Sequence, residues 1–231
     1  MTRILLIESA TAVCSVALSE GGRLVCLQEA ALPNVHAEVM TRLIERCMVE
    51  TGVSLPSLDA VALSSGPGSY TALRVGAATA KGICYALGKP LVKVETLQAM
   101  AWGMVEKTGE KDALYCPMVD ARRMEVYTAI YDAGLTLRLP VQALVVEEGS
   151  FDKWIQAGRT LIFAGDGSSK CTSILSKEGT RFIDIPMSAG NMATLAATAF
   201  EDGKFEDVAY FSPTYLKPPN ITQTKKKWWG N

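Results

Sequence analysis

Short apolar runs and longer amphipathic segments follow one another in a regular order along this chain. The apolar runs at 4–8, 13–19 and 24–29 predict three consecutive strands, and a glycine-containing turn at 20–23 joins the last two. The elements predicted next are a helix at 34–51, a strand at 59–64, a helix at 70–87, a strand at 90–94 and a helix at 95–107. Strands followed by helices in this way are typical of an α/β lobe.

The same order begins again after a charged, glycine-containing stretch at 103–112. This stretch predicts a boundary between one lobe at 1–108 and a second lobe at 109–231. The elements predicted in the second half are strands at 114–120, 125–131 and 160–164, a turn at 165–167 leading into a helix, a helix at 191–201 and a further apolar segment at 208–211. The pattern therefore predicts an α/β protein of two similar lobes.

Two short matches between the halves suggest an internal duplication. Nine positions separate Glu8 from Ala17 in the first half, and nine separate Asp120 from Ala129 in the second. In both halves the acid ends one predicted strand and the alanine lies in the next. Matches this short also arise by chance.

The helices at 34–51 and 70–87 carry more apolar surface than a helix needs to cover one sheet. Ala72, Gly76 and Ala80 recur every four residues along one side of the second helix, and small residues at this spacing allow another helix to approach closely. This surplus favours a protein partner. The alternative is that the two helices cover each other and the second lobe.

The turn at 64–71 follows a predicted buried strand and opens a helix. Gly66 and Gly68 flank a proline, and Ser69 can cap the helix, so free N–H groups would point outward toward an anion. The turn matches neither common phosphate fingerprint, because Thr71 stands where a dinucleotide turn needs glycine and the first lysine is Lys81. A plain connecting turn is the alternative.

Bulk composition excludes several classes of protein. A net charge of −1 disfavours a chain that binds nucleic acid alone, and no apolar run approaches the roughly 20 residues of a membrane span. The six cysteines contain no Cys-x-x-Cys pair, which favours buried, reduced thiols in the cytoplasm. His36 is the only histidine, which excludes a histidine-rich metal site and leaves a peptidase triad with one candidate base. His36 lies on the apolar face of its predicted helix, which favours a packing role.

Four segments of the chain form a recognisable set of motifs. They are Ser64-Ser65-Gly66-Pro67-Gly68-Ser69-Tyr70-Thr71 with Leu73, Arg74 and Gly76, then Asp120-Ala121-Arg122-Arg123 with Glu125-Val126-Tyr127, then Ala164-Gly165-Asp166-Gly167, and finally Pro213 with Tyr215-Leu216-Lys217. Together they resemble the motifs of the TsaB family, a bacterial subunit needed to make threonylcarbamoyladenosine in tRNA. The resemblance implies an actin-like ATPase (ASKHA) fold of two ribonuclease-H-like lobes. The chain departs from the family at Ala72, usually glycine, and at Glu8, commonly aspartate in actin-like phosphate loops.

The resemblance also implies a non-catalytic role beside the paralogue TsaD, which transfers the threonylcarbamoyl group to the tRNA adenosine next to the anticodon. TsaD binds metal through a His-x-x-x-His pair, whereas this chain has His36 followed at the same spacing by Met40. Family members dimerise with TsaD through their first two helices, and the ATPase TsaE joins the pair. The partner-binding residues expected here are His36, Met40, Leu43, Cys47, Tyr70, Ala72, Leu73, Gly76, Thr79, Ala80 and Ile83.

We therefore expect no catalytic residue, no metal and no cofactor in the isolated chain, with ATP or ADP and magnesium allowed at the complex interface. We expect the chain to contact tRNA only as part of the complex, to make no membrane contact and to be cytoplasmic. The sequence leaves the oligomeric state of the isolated chain open, with a homodimer as one option when TsaD is absent. The candidate anion or nucleotide residues are Gly66, Gly68, Ser69, Thr71 and Asp120.

The alternative function is an actin-like ATPase or kinase that acts alone and uses Glu8, Asp120 and the 66–71 turn around magnesium and phosphate. The tail at 225–229 combines lysines with tryptophans, which suits RNA contact, although a loose tail is the plainer interpretation.

Overall fold

The structure is a computed structural model and describes residues 1–30, 36–155 and 158–218. The predicted helix start at 34 and the lysine–tryptophan tail at 225–229 lie outside the described residues.

The first lobe is built on a five-stranded sheet with the order β3-β2-β1-β4-β5. Its elements are β1 (Arg3–Glu8), β2 (Cys14–Glu20), β3 (Arg23–Ala30), α1 (His36–Thr51), β4 (Ala60–Ser64), α2 (Tyr70–Leu87), β5 (Leu91–Val94) and α3 (Thr96–Thr108). Strands β1 to β3 form an antiparallel meander, and β4 and β5 add in parallel to β1. The five predicted strands and the three predicted helices of this half are all present.

The second lobe repeats the topology with the order β8-β7-β6-β9-β10. Its elements are β6 (Leu114–Asp120), β7 (Glu125–Asp132), β8 (Leu137–Val145), α4 (Asp152–Ile155), β9 (Leu161–Ala164), α5 (Thr172–Leu175), β10 (Thr180–Phe182) and α6 (Ala193–Glu201). Again three antiparallel strands precede two parallel ones. The prediction of two similar α/β lobes is confirmed.

Two strands of the second lobe were not predicted. Strand β8 lies at the sheet edge, is half-exposed along most of its length and contains Arg138, Pro140 and Gln142. It therefore lacks the apolar run that marks a buried strand. Strand β10 is only three residues long. The helix predicted after the 165–167 turn is present as α5, which has four residues.

The two sheets share one core, in which the connecting helices are exchanged. Helix α3 comes from the first lobe and packs on β6 and β7, whereas α6 follows the second sheet and packs on β1 and β5. Buried residues from both lobes meet there: Ile4, Leu6, Val92, Met100, Met104, Tyr115, Ala129, Met192 and Ala196. Helices α1 and α2 cover the opposite face of the first sheet.

The predicted division at 108/109 falls between the two sheets, but the end of the described chain returns to the first lobe. Glu206 pairs with Leu91, and the Lys81 ammonium donates to the carbonyls of Ala209 and Phe211, each at 3.1 Å. Helix α6 and residues 206–215 thus contact a lobe to which the predicted division does not assign them.

All six cysteines are buried and free. Burial raises the pKa of Cys14 to about 11 and that of Cys116 to about 12, so these thiols stay protonated at neutral pH. The prediction of buried thiols is confirmed. Within the described ranges, no helix has both the length and the apolar character needed to span a bilayer.

Candidate functional site in the interlobe cleft

A cleft of about 610 Å³ lies between the lobes and collects all four motif segments. Its walls are formed by the loop after β1, the start of α2, the end of β6, Asp166 and residues 214–218. These segments are far apart in the sequence, and the repeated topology brings the loops at the ends of equivalent strands to one place.

The glycine turn before α2 is packed tightly against the loop after β1. Gly66 has a φ of +100°, and its N–H donates to Thr96 Oγ1 at 3.0 Å. A Cβ on Gly68 would overlap the backbone of Ala10, and the Ser69 N–H donates to the Ala10 carbonyl at 2.7 Å. Two N–H groups of the predicted anion turn are therefore already used within the chain.

The first turn of α2 offers further N–H groups beside this turn. Ser69 occupies the N-cap position with an extended backbone, but within the described part of the chain its side chain makes no capping hydrogen bond. The first N–H groups of a helix have no intrahelical partner. Thr71 lies in this first turn and lines the cleft together with Tyr70 and Ala72.

Asp120 belongs to a polar network on the wall of the second lobe. Its carboxylate forms an ion pair with Lys170 and accepts from the Arg122 N–H at 3.0 Å, while its own N–H donates to Asp166 Oδ1 at 3.0 Å. Burial raises the pKa of Asp166, and the hydrogen bond from Asp120 partly offsets this. The structure brings Asp120 to the cleft, as predicted, but its carboxylate is already paired.

Glu8 is fully buried at the end of β1 and is not among the residues that line the cleft. Its Oε1 accepts from the Ala10 N–H at 2.5 Å, and its Oε2 has no hydrogen-bond partner among the described residues. Burial raises the pKa of Glu8 to about 7. A carboxyl group whose charged form is disfavoured by burial, and which is shielded from the cleft, is poorly suited to hold magnesium. Within the described residues, no group of three or more histidine, cysteine or acidic side chains could hold a metal ion.

Most of the predicted partner-binding residues face the interior of the chain itself. The buried ones are His36, Met40, Leu43, Cys47, Ala72, Leu73, Gly76 and Ala80. The role of these eight in partner binding stays a prediction, although their positions are largely buried within the chain. Met40, Leu43, Cys47 and Ala80 belong to the apolar cluster on the first sheet, whereas His36 and Ala72 line the interlobe cleft. Gly76 is the clearest case of burial, since a Cβ there would overlap Ser9 Oγ and lie 3.1 Å from Leu63 Cδ1. The partner-binding role of the other three, Tyr70, Thr79 and Ile83, stays a prediction, and these residues are partly exposed.

A different side of α2 faces outward. This outward stripe consists of Thr71, Val75, Ala78, Gly82 and Ala86. It carries no charge, and all its members except the partly exposed Val75 are exposed. A Cβ built on Gly82 would meet no described atom within 4 Å. The 70–87 spacing alone could have suggested this stripe, because Ala78, Gly82 and Ala86 also recur every four residues.

The C-terminal motif contributes contacts that the sequence did not predict. The rings of Tyr70 and Tyr215 lie 4.6 Å apart at the start of α2, and the Arg74 guanidinium lies over the Tyr70 ring at 5.4 Å. Lys217 forms an ion pair with Glu125 at the start of β7. The motif thus connects α2 of the first lobe to the second lobe.

Comparisons with known proteins agree with this architecture. The family model described as TsaD, tRNA N6-adenosine threonylcarbamoyltransferase, matches residues 31–226. The tRNA threonylcarbamoyladenosine biosynthesis protein TsaB of Escherichia coli is 29% identical to this chain over 93% of it and 94% of the relative.

Solved structures extend the comparison to the fold. YeaZ from Pseudomonas aeruginosa aligns with a TM-score of 0.81 and 25% identity, over 94% of this chain and all of that one. The activator of 2-hydroxyisocaproyl-CoA dehydratase from Clostridium difficile, solved with bound ADPNP, shares the fold with a TM-score of 0.52 and 9% identity, over 88% of this chain and 97% of that one. The chain described here has the actin-like ATPase fold of two ribonuclease-H-like lobes, and it belongs to the TsaB family.

Proposed function

We propose that this chain is a non-catalytic scaffold subunit in the synthesis of threonylcarbamoyladenosine in tRNA. In this proposal it pairs with TsaD and holds TsaD in a state competent for threonylcarbamoyl transfer to the adenosine beside the anticodon. Membership of the TsaB family supports the pathway. The buried Glu8 and the already paired Asp120 support a role without chemistry of its own.

The observation that carries the pairing proposal is Gly82 in the outward stripe of α2. Glycine inside a helix costs roughly 1 kcal/mol relative to alanine, so its presence needs a reason. Gly76 has one within the chain, because it touches Ser9, whereas Gly82 faces open space. A second helix or strand lying close against an uncharged, small-residue stripe would supply that reason.

Replacement of Gly82 by leucine tests the pairing directly. Leucine is a better helix former, so the free chain should keep its stability or gain up to about 1 kcal/mol. The bulky side chain should nevertheless weaken association with TsaD by about 1–3 kcal/mol through overpacking. The measurement is copurification with tagged TsaD from the same organism, followed by a threonylcarbamoyl-transfer assay of the mixture.

Two variants serve as controls for this test. Gly82→Ala adds one methyl group and should retain most of the association. Thr198→Leu places the same bulk on an exposed position of α6, away from α2, and should pair normally. If Gly82→Leu copurifies at the natural yield, the outward stripe is not the pairing surface.

The wider assembly is part of the same proposal. In this proposal TsaE joins the complex of this chain with TsaD, and the chain contacts tRNA only as part of that complex. ATP or ADP with magnesium binds at the subunit interface rather than in the cleft of this chain. Without TsaD, the outward stripe would pair with a second copy. The Gly82→Leu chain should then elute as a monomer in size-exclusion chromatography. The cytoplasm stays the predicted compartment.

The second candidate is an ATPase or kinase that acts alone, favoured by the meeting of Asp120 and Asp166 at an interlobe cleft. The residues present do not fit a magnesium-bound nucleotide well, because Glu8 is shielded and Asp120 is bound to Lys170. Calorimetry of the isolated chain with ATP and magnesium separates the candidates. Micromolar binding with turnover would favour the enzyme, and its absence would favour the scaffold.

A further inference from the structure

Two cysteines of the first lobe meet where helix α1 covers the edge strand β3. Cys26 lies in β3 and Cys47 in α1, and both belong to the apolar cluster between the first sheet and its helices. The position of α1 over β3 is fixed by Gln28, whose Nε2 donates to Glu50 Oε2 at 2.6 Å. Cys26 points to the same strand face as Gln28, and Cys47 lies on the same side of α1 as Glu50, one turn away. The contact between the two elements therefore places the two thiols opposite each other.

The two thiols also interact directly. Burial and a hydrogen bond with the Cys26 thiol raise the pKa of Cys47 to about 12. A disulfide can form between two cysteines only when their side chains point toward each other. A hydrogen bond between the two thiols satisfies this condition.

Cys26 is the thiol of this pair that lies nearer to the surface. Strand β3 is at the edge of its sheet, and the neighbours Leu24 and Leu27 are 47% and 37% exposed, although Cys26 itself is buried. Local opening needs least free energy where few buried contacts hold an element. The side-chain amide of Gln28 donates to Cys26 Sγ at 3.7 Å, which favours the thiolate, the reactive form of cysteine. We therefore expect Cys26 to react first.

A second pair of thiols, Cys116 and Cys171, provides a contrast within the same molecule. Cys116 lies in β6, the central strand of the second sheet, and its Sγ is 3.2 Å from Thr128 Oγ1. The Cys171 thiol donates to the Gly167 carbonyl at 3.4 Å. Both thiols thus have other partners in the interior of the second lobe, and we expect them to stay reduced.

We propose that Cys26 and Cys47 form a redox switch, in which a disulfide oxidant such as glutathione disulfide links them and fastens α1 to β3. The Cys26 thiolate attacks one sulfur of the oxidant and displaces the first glutathione thiolate. Cys47 loses its proton to water and attacks the Cys26 sulfur of this mixed disulfide, which displaces the second glutathione thiolate. The two cysteines lose two electrons and two protons, and glutathione disulfide is reduced to two molecules of glutathione. Pairing with TsaD has no part in this step, so the switch and the proposed function can fail separately.

The two oxidation states differ in how firmly α1 is attached. Noncovalent contacts hold α1 on the edge strand in the reduced chain, whereas a covalent bond holds it in the oxidised chain. The bond also closes residues 26–47 into a loop, which restricts the unfolded chain and so stabilises the folded one. We expect oxidation to raise the midpoint of thermal unfolding by about 6–12 °C.

Oxidation of the folded chain, followed by peptide mapping, tests the proposal. The full-length chain is incubated overnight with glutathione disulfide in the absence of denaturant, the remaining thiols are alkylated, and the digested peptides are analysed by mass spectrometry. We expect one linked peptide that contains Cys26 and Cys47, together with alkylated Cys116 and Cys171. Dithiothreitol should reverse both the link and the rise in the unfolding midpoint.

Cys47→Ala and Cys84→Ala form a matched pair of variants, because each removes one buried thiol from a helix of the first lobe. Cys47→Ala should lose the linked peptide and the thermal shift on oxidation, and Cys84→Ala should keep both. Each variant is compared with its own reduced form, so a loss of stability from the smaller core does not affect the comparison. The peptide map of the natural chain needs no variant.

Three results would overturn the proposal. One is the absence of the linked peptide after incubation of the folded chain. Another is a mixed disulfide on Cys26 that persists without reacting with Cys47, which would show that the two sulfurs are out of reach. The third is an equal thermal shift in Cys47→Ala, because the shift would then come from another site.

Discussion

The two lobes share one strand order but differ in the helix that comes after the fourth strand. In the first lobe, β4 leads into α2, which has 18 residues, whereas in the second lobe β9 leads into α5, which has four. The first lobe therefore presents a long helix with an uncharged outer stripe, and the second lobe keeps mainly polar loops at the cleft. Two sheets with the same strand order therefore differ in the surface that their connecting helices expose.

The carboxylates at the ends of equivalent strands show the same divergence. Glu8 ends β1 and Asp120 ends β6. Glu8 is fully buried with an oxygen that no described residue pairs, while Asp120 is exposed and bound to Lys170. Equivalent positions in a fold thus do not carry equivalent chemistry, because solvation and neighbours decide what a carboxyl group can do.

The largest effect is expected from Gly76→Leu, which disrupts the contact between α2 and the end of β1. The new side chain would overlap Ser9 and crowd Leu63 in a closed core, so the free energy of unfolding should fall by about 3 kcal/mol or more. Urea unfolding followed by circular dichroism measures the change. Gly82→Leu, on the open side of the same helix, is the control and should not lose stability. Equal destabilisation by both would refute the assignment of the two sides of α2.

A smaller effect, dependent on pH, is expected from Glu8. Its pKa is about 7 in the folded chain and near the ordinary 4.5 in the unfolded chain. Unfolding between pH 4.5 and pH 7 therefore releases a proton from Glu8. The stability of the natural chain should therefore decrease as pH rises from 4.5 to 7, by an amount on the order of 3 kcal/mol. Glu8→Gln removes this group and should flatten that part of the curve, whereas Asp120→Asn should leave the slope in place. An unchanged slope in Glu8→Gln would contradict the burial argument.

The smallest effect is expected from Tyr215→Ala, at the segment that connects the lobes across the cleft. The substitution removes the ring that packs on Tyr70. The free energy of unfolding should fall by about 1 kcal/mol in addition to the loss from the smaller buried apolar area. Thermal unfolding measures it, with Tyr210→Ala as a control because that ring is 87% exposed. A matching loss in the control would show that the Tyr70 contact contributes nothing specific.

Local features of the chain were predictable, and long-range ones were not. Helix α2 begins and ends where its pattern predicted, because Ser69 and Gly88 mark its limits, and Gly88 takes the left-handed conformation with a φ of +63°. The sequence could not distinguish the inner side of that helix from its outer side, because small residues recur every four positions on both. Gly76 and Gly82 differ only in what the rest of the fold places beside them. Similarly, the motif segments were visible in the sequence, but their meeting at one cleft depends on how two separate sheets pack together.

The exchange of α3 and α6 between the sheets has a mechanical consequence. If the two lobes moved apart, apolar side chains of both α3 and α6 would lose their packing contacts and become exposed to water. We therefore expect little hinge bending of the kind that closes many two-domain enzymes around a substrate. Heating should melt the molecule in a single cooperative step, with equal calorimetric and van't Hoff enthalpies, rather than one half before the other.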